Sequence, residues 1–389
     1  MRSTTLSGHF RHLVITGILV ICFTAIFYTY YKLTMGWMPC TEELRPDVCT
    51  KACLKVLNVE NNTQIFTHGT ENTKKATQAI KTVEAGKDHV SEIVVLIWYW
   101  PFGEHFDLNS CESIYGIKGC RLTDDQGQLD KAHAVMFHIR DIRGDLPSLL
   151  KISRPPRQKW VWMDMESPTY SPHLIRAADL FNLTSNYRRD SDIWVPYGRL
   201  IEISDKDEPF QMPQKDKLVC WIVSHWNVNH KRTGFFNEFR KHINVEGYGK
   251  HFNRLIDPQD YNKVMSSCKF YLSFENSIHK YYITEKVFNP MKLGTVPVVL
   301  GPPRENYEEL IPKDSFIHVD DFKTPQKLAE HLKALDQNQE MYERFFSWRK
   351  DYVAKSSVFG QEHACYICDH LRKHKSFSIV KDVNKWYFS

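Results

Sequence analysis

Apolar runs of strand length, separated by longer segments of mixed polarity, lay out the architecture of this chain. "EIVVLIWYWPFG" is one such run, closed by Pro101 and Gly103. "HAVMFHI" (133–139) and "KWVWMDM" (159–165) follow, the first ending in Arg140-Asp141 and the second in Glu166-Ser167. A strand with one wet face alternates apolar and polar residues; these do not. They predict a parallel sheet covered on both faces, in which binding groups collect at the carboxyl ends of the strands. The pattern restarts at "KLVCWIVSHW" (217–226) and continues in "KFYLSFENSIHKYYITEKVFNPMKLGTVPVVLG" (269–301). That stretch reads as a strand ending in Glu275-Asn276, a helix opened by Tyr282, Thr284, Glu285 and Lys286, and a second strand from Val296 to Leu300. "TPQKLAEHLKALD" predicts a further helix with Thr324 at the N-cap and Pro325 at N1. Two successive α/β halves predict two Rossmann-like domains facing a cleft.

The first ninety residues follow another pattern. Residues 13–31, "LVITGILVICFTAIFYTYY", are nineteen uncharged positions, about the length needed to cross a bilayer core. The run is long, ends in bulky Phe and Tyr, and is followed by no small-x-small cleavage site, so it reads as a signal anchor rather than a cleaved signal peptide. Residues 32–90 lack periodicity and are rich in Thr, Asn, Lys and Glu, which reads as a luminal stem. Cys40, Cys49 and Cys53 lie in it; an odd number permits a disulfide between two copies. The triplets at Asn61 and Asn182 are N-glycosylation acceptors in such a compartment.

Composition narrows the chemistry. The 389 residues are 42% hydrophobic and 25% charged, with 51 basic against 46 acidic side chains. That is globular composition. No basic run supports a nucleic-acid partner, while the modest positive balance suits a small anionic substrate. No GxGxxG, Walker loop or HExxH is present, which disfavours nicotinamide cofactors, P-loop nucleotides and zinc-protease chemistry. Cys365 and Cys368 form a CxxC, and with Cys111 and Cys120 they offer either a zinc site or two disulfides tying the C-terminal segment to the first domain. An oxidising lumen favours the disulfides. Cys220 and Cys268, both in strand regions of the second half, suit a third bridge. Asp190-Ser191-Asp192 matches the DxD pattern of metal-holding sugar-nucleotide transferases, but a signal two residues deep reads rather as a solvated turn with each carboxylate paired to an arginine.

The helix opening at 282–286 carries the most chemistry. A helix N-terminus presents unpaired N–H groups and a positive dipole end to phosphate oxygens. Lys286 adds a full charge, Tyr282 a hydroxyl, and Glu285 a carboxylate able to accept from a ribose diol. The combination describes a nucleotide-sugar pocket; in isolation, "TEK" would be an ordinary capped surface helix.

"FYLSFENSIHKYYITEK" together with "VPVVLGPPRENYEELIPKDSFIHVDDF" resembles the signature region of the animal alpha-1,3-fucosyltransferases, members of glycosyltransferase family 10. The resemblance extends through "WPFG", "FHIRDI", "WVWMDMESP", "FNLTSNYRRDSDIWVPYG", "LVCWIVSHWN" and "HACYICDH", roughly residues 93–389. It implies a GT-B fold, divided here as a cytosolic tail (1–12), anchor (13–31), stem (32–90), acceptor domain (91–215), GDP-fucose domain (216–350) and a C-terminal segment returning to the first domain (351–389). It implies bridges from Cys111 and Cys120 to the Cys365/Cys368 pair, a Cys220–Cys268 bridge, no required metal or other cofactor, and a Golgi type II membrane protein.

Residue by residue, the resemblance puts the catalytic base on Glu166. It puts the donor contacts on Tyr197, Gly198, Ser224, His225, Arg232, Tyr271, Asn276, Tyr282, Glu285 and Lys286. Arg232 carries the family's phosphate-binding role. On the acceptor side it points to Glu104, Arg140 and Glu166, and an arginine at the position of Arg140 is the family's mark of type 2 chains and 1,3 linkage. Four positions depart from the usual pattern: His225 replaces Asn, Tyr281 replaces Asp, Glu104 replaces Gln, and Ile139 replaces the second His of "HHRDI". The expected reaction is transfer of L-fucose from GDP-fucose to O3 of GlcNAc in Galβ1-4GlcNAc ends of glycoprotein and glycolipid chains. An inactive glycan-binding protein and a protein O-fucosyltransferase are the alternatives; retention of Glu166, Arg232, Glu285 and Lys286 speaks against the first.

Overall fold

The computed structural model describes residues 91–389 except Arg143, Ala178 and Lys206. The anchor, the stem with its three cysteines, and Asn61 lie outside the described residues. Among the described residues no helix is long and apolar enough to cross a membrane.

The fold is α/β, built on two parallel sheets. The first contains β1 (Ile93–Ile97), β2 (Cys120–Thr123), β3 (Ala134–His138), β4 (Lys159–Met163), β5 (Leu183–Asn186) and β6 (Ile193–Trp194), in the order β2-β1-β3-β4-β5-β6. An antiparallel ribbon partner, β7 (Gly198–Glu202), leads out of it. The second sheet contains β8 (Lys217–Ile222), β9 (Glu246–Tyr248), β10 (Cys268–Phe274), β11 (Val296–Leu300) and β12 (Ile317–His318), in the order β12-β11-β10-β8-β9. Near the C-terminus β13 (Tyr352–Ser356) pairs antiparallel with β7.

Because successive strand residues point to opposite faces, the all-apolar runs need cover on both sides. Val95, Ile97, Met136, Val161 and Met163 pack against helix Gln361–Lys373. Their neighbours Val94, Leu96, Val135, Phe137, Trp160 and Trp162 pack against Phe181, Val383 and Tyr387. In the second sheet, Trp221, Phe270, Leu272 and Val298 meet Phe236, Leu328 and Leu332, while Val299 meets Val287, Phe288 and Met291 of helix Glu285–Lys292 on the other side.

Disulfides join Cys111 to Cys365, Cys120 to Cys368 and Cys220 to Cys268. Cys365 and Cys368 are three apart on helix Gln361–Lys373, so one face of the helix takes both bridges. Native bridges of this kind typically stabilise by about 2–4 kcal/mol each. Among the described residues no cluster of three or more His, Cys, Asp or Glu side chains is arranged to hold a metal.

Two readings of the sequence need correction. Asn182 is 1% exposed. Its Oδ1 accepts from the Trp160 N–H at 2.9 Å and from Arg154 Nη1 at 3.0 Å, and its Nδ2 donates to the Ser378 carbonyl at 2.7 Å. A glycan on that Nδ2 has no room unless the core around a fully buried amide opens, so Asn182 is a structural asparagine. In the DxD triplet only Asp190 pairs with an arginine, Arg188 at 2.7 Å. Asp192 instead accepts from the Thr184 N–H and Oγ1, both at 2.8 Å, fastening its turn to β5.

Candidate functional site

The site grows out of the segment that follows β4. The apolar run continues to Met165, but the strand ends at Met163, because the next three carbonyls are captured by side chains rather than by a neighbouring strand. Asn186 Nδ2 of β5 donates to the Asp164 carbonyl, the Tyr197 hydroxyl to that of Met165, and the Tyr387 hydroxyl, from C-terminal helix Val383–Phe388, to that of Glu166. The Glu166 N–H donates to Asp164 Oδ1 at 2.9 Å. Four bonds thus hold the backbone that carries the Glu166 carboxylate.

Glu166 is partly exposed and lies 3.2 Å from Arg140 Nη1. Arg140 belongs to a short helix after β3 (Ile139–Ile142), and its guanidinium sits 5.3 Å from the Phe102 ring centroid. Phe102 has φ 55°, an unusual conformation for a bulky residue. Asp141 Oδ2 accepts its N–H at 2.8 Å and lies 2.6 Å from His138 Nδ1. Backbone strain of this kind concentrates at functional sites.

The facing wall comes from the second sheet. After β10, Glu275 is fully buried and accepts from the Thr284 N–H (2.9 Å), Thr284 Oγ1 (2.9 Å) and Lys286 Nζ (3.2 Å). Thr284 is the N-cap of helix Glu285–Lys292. Lys286 Nζ also lies 3.1 Å from Glu285 Oε1 and 2.9 Å from Thr284 Oγ1. Burial alone would lower the lysine's pKa, but Glu275 and Glu285 outweigh it and hold it above the usual range, so the ammonium stays charged. Tyr282 is inserted across the cleft into the core of the first half, its ring 5.3 Å from Tyr187 and 6.1 Å from Tyr197. Burial raises the pKa of all three phenols, which remain neutral donors. The segment after Glu166 binds the second half directly: Ser167 to Ser277, Thr169 to His279 and Tyr170 to His230, each at 2.6 Å.

Between these walls lies a cavity of about 390 Å³. Of the residues singled out in the sequence, it brings together Glu166, Tyr197, Asn276, Tyr282, Glu285 and Lys286, with Arg140 one ion pair away. The others lie off its wall. Gly198 packs on the Phe288 ring so closely that a Cβ there would fall 2.3 Å from Cγ. Tyr271 is a core residue whose hydroxyl sits 3.4 Å from the Ile222 carbonyl. Ser224, His225 and Glu104 are exposed. The Arg232 guanidinium is buried and donates to the carbonyls of His225 (2.6 Å) and Phe274 (3.2 Å), bracing the ends of β8 and β10.

The structure also adds residues the sequence did not flag: Phe102, Met165, Ser356, Ser357, Val358, Phe359 and His363 on the wall, with Asp164 and Glu275 behind it. Only Glu275 carried a local signal, as the polar end of an apolar strand.

Asp164 is completely buried, and Oδ2 has no partner among the described residues. Burial, reinforced by the charge of Glu166, pushes its pKa up to about 7. An acid raised in the folded state favours folding while protonated. Wild-type stability should therefore fall as pH rises from the unfolded-state value near ~3.9 to about 7, by up to about 1.4 kcal/mol per pH unit. Asp164→Asn keeps the oxygen that accepts the Glu166 N–H and removes the titration, so denaturation midpoints at pH 5 and 7.5 should converge. An undiminished slope in the variant would assign it to another group.

The family profile for the N-terminal region of fucosyltransferases matches residues 90–198, and that for the C-terminal region of glycosyltransferase family 10 (fucosyltransferase) matches residues 212–386. The curated Rattus norvegicus and Homo sapiens proteins named 4-galactosyl-N-acetylglucosaminide 3-alpha-L-fucosyltransferase 9 are each 43% identical to this chain over 387 residues, 100% of both chains. The Canis lupus familiaris protein of the same name is 46% identical over 341 residues, 88% of this chain and 94% of its own. A solved alpha1,3-fucosyltransferase with GDP-fucose aligns with 78% of this chain and 93% of its own at 14% identity and a TM-score of 0.47.

Proposed function

The chain belongs to glycosyltransferase family 10, the fucosyltransferases, and from that we propose that it transfers L-fucose from GDP-β-L-fucose to O3 of GlcNAc in Galβ1-4GlcNAc chains, with inversion at the fucose carbon. One observation carries the reading. A carboxylate on the first sheet, Glu166, held through its backbone, faces a charged lysine at a helix N-terminus on the second sheet across a sugar-sized cavity.

In this reading Glu166 takes the proton of the acceptor 3-hydroxyl as its oxygen bonds to C1 of fucose. The C1–O bond to GDP breaks, and the electron pair leaves with the diphosphate. Lys286 and the helix N-terminus neutralise the charge that develops there. Arg140 fixes Glu166 on the acceptor side and selects type 2 chains. Tyr197, Asn276, Tyr282 and Glu285 hold the fucose and nucleotide, while Arg232 braces the donor half from beneath. The scaffold is a GT-B pair of domains, anchored by residues 13–31 in the Golgi membrane with the catalytic part luminal. Asn61 carries a glycan, and the stem cysteines link two copies.

The test is a panel of acceptors with the purified full chain and GDP-fucose. Galβ1-4GlcNAc should be fucosylated at least about tenfold faster than Galβ1-3GlcNAc. Equal rates would overturn the acceptor assignment, and no transfer to either would overturn the activity.

A further inference from the structure

His363 stands in the first turn of helix Gln361–Lys373, on the wall of the cavity that holds Glu166. It is 1% exposed. Its Nδ1 lies 2.7 Å from Ser185 Oγ of β5, which fixes the ring, while its Nε2 is buried without a partner among the described residues. A buried polar atom left unpaired is costly, and native structures rarely keep one without a use. The Cys111–Cys365 bridge, two residues on, locks this turn of the helix in place. Beside it Phe359 stacks on Phe102 with ring centroids 5.5 Å apart, an apolar surface at the cavity wall. An aromatic platform with one fixed polar atom is how pockets bind the C–H face and a hydroxyl of a sugar ring.

We propose that His363 is a further acceptor-selecting residue, its Nε2 forming a hydrogen bond with an uncharged sugar hydroxyl, other than the reacting one, on a ring that lies against Phe359 and Phe102. The inference rests on the reading of this cavity as a glycan-transfer site. The acceptor is the sugar concerned because Phe102, Ser185 and His363 all belong to elements packed on the first sheet, the side that carries Glu166, while Lys286 and Glu285 form the opposite wall. The hydroxyl is uncharged because His363 has no charge to offer a carboxylate: burial, aided by His138 and Arg199, pushes its pKa down to about 3.

The experiment compares kcat/KM of the full chain for Galβ1-4GlcNAc and its monodeoxy analogues, in wild type, His363→Phe and His363→Gln. In wild type one deoxy analogue should lose roughly 10- to 100-fold. His363→Phe should lower the parent acceptor by that factor and erase the discrimination against that analogue alone. It should leave the KM for GDP-fucose unchanged, and His363→Gln should restore part of the loss. A uniform drop across all analogues would assign His363 to structure. No change, or an effect carried by the donor KM, would also overturn the proposal. Should His363→Phe fail to fold, Ser185→Ala, which frees the ring at Nδ1, should show the same analogue-specific loss in weaker form, and its absence would count equally against. Fucose transfer by wild type with no deoxy analogue penalised would defeat this inference alone; no transfer at all would defeat the activity beneath it.

Discussion

Replacing Glu166 by Gln should lower turnover by roughly 10²–10⁴-fold, the contribution of a general base, and leave GDP affinity within about twofold. The prediction is clean because the groups that place residue 166 act on its main chain. Asp164 Oδ1 accepts its N–H and the Tyr387 hydroxyl holds its carbonyl, and a glutamine keeps both. The ion pair to Arg140 weakens to a charge-assisted hydrogen bond, but both partners are more than a quarter exposed, so little stability depends on it. Single-turnover rates and GDP titration on the same preparation separate chemistry from binding. If Glu166→Gln turned over within tenfold of wild type, the base would lie elsewhere, and Asp141, at the end of the same sheet, would be tested next. Asp141 is the poorer candidate because one of its oxygens already serves the Phe102 N–H and His138.

The strands were legible because a sheet buried on both faces must be apolar at every position, a local signal. Their ends were not. The runs through Met165 and Trp226 continue past Met163 and Ile222, where the ladders stop. After β4, side chains from residues 186, 197 and 387 capture the backbone carbonyls, and nothing near 164 announces that. The cavity wall on the second sheet was readable because its residues are contiguous: Asn276 through Lys286 fold back on one buried carboxylate. The wall from Ser356 to His363 was invisible for the opposite reason. It reaches the cavity through the pairing of β13 with β7 and through two disulfides to residues about 250 positions away. Asn182 shows the converse failure, a local triplet that matched an acceptor motif while long-range bonds made its amide part of the core. Tyr281 marks a tension between sequence and fold. It occupies φ 61°, a region in which the aspartate expected there from the resemblance would be more at ease, and Asn306 Oδ1 accepts its N–H at 3.1 Å and holds it there.

Lys286→Ala should act twice, and the two effects come apart. In its proposed role Lys286 meets the diphosphate, so removing the ammonium should weaken GDP binding roughly 10- to 100-fold, the loss of one charge-assisted bond. It also leaves Glu275 buried without its counter-ion. Breaking a fully buried pair costs roughly 3–5 kcal/mol, and the cost here falls toward the lower end because the Lys286 side chain is a quarter exposed. The pH dependence identifies which carboxylate is responsible. In wild type the lysine's raised pKa gives a contribution that is complete below the unfolded value near ~10.4 and is lost only as pH rises through the folded one, so it is constant from pH 6 to 9. In the variant, Glu275, whose pKa burial already raises against the pull of Lys286, rises further. Stability should then decline as pH climbs above the unfolded carboxyl value near ~4.3. Thermal midpoints of variant and wild type should therefore draw together at pH 5 and separate at pH 8. Adding Glu275→Gln to Lys286→Ala removes the stranded charge, and it should recover the midpoint at pH 8 without recovering GDP affinity. Recovery of both would make Lys286 a purely structural residue, and unchanged GDP affinity in the single variant would place the diphosphate away from this helix.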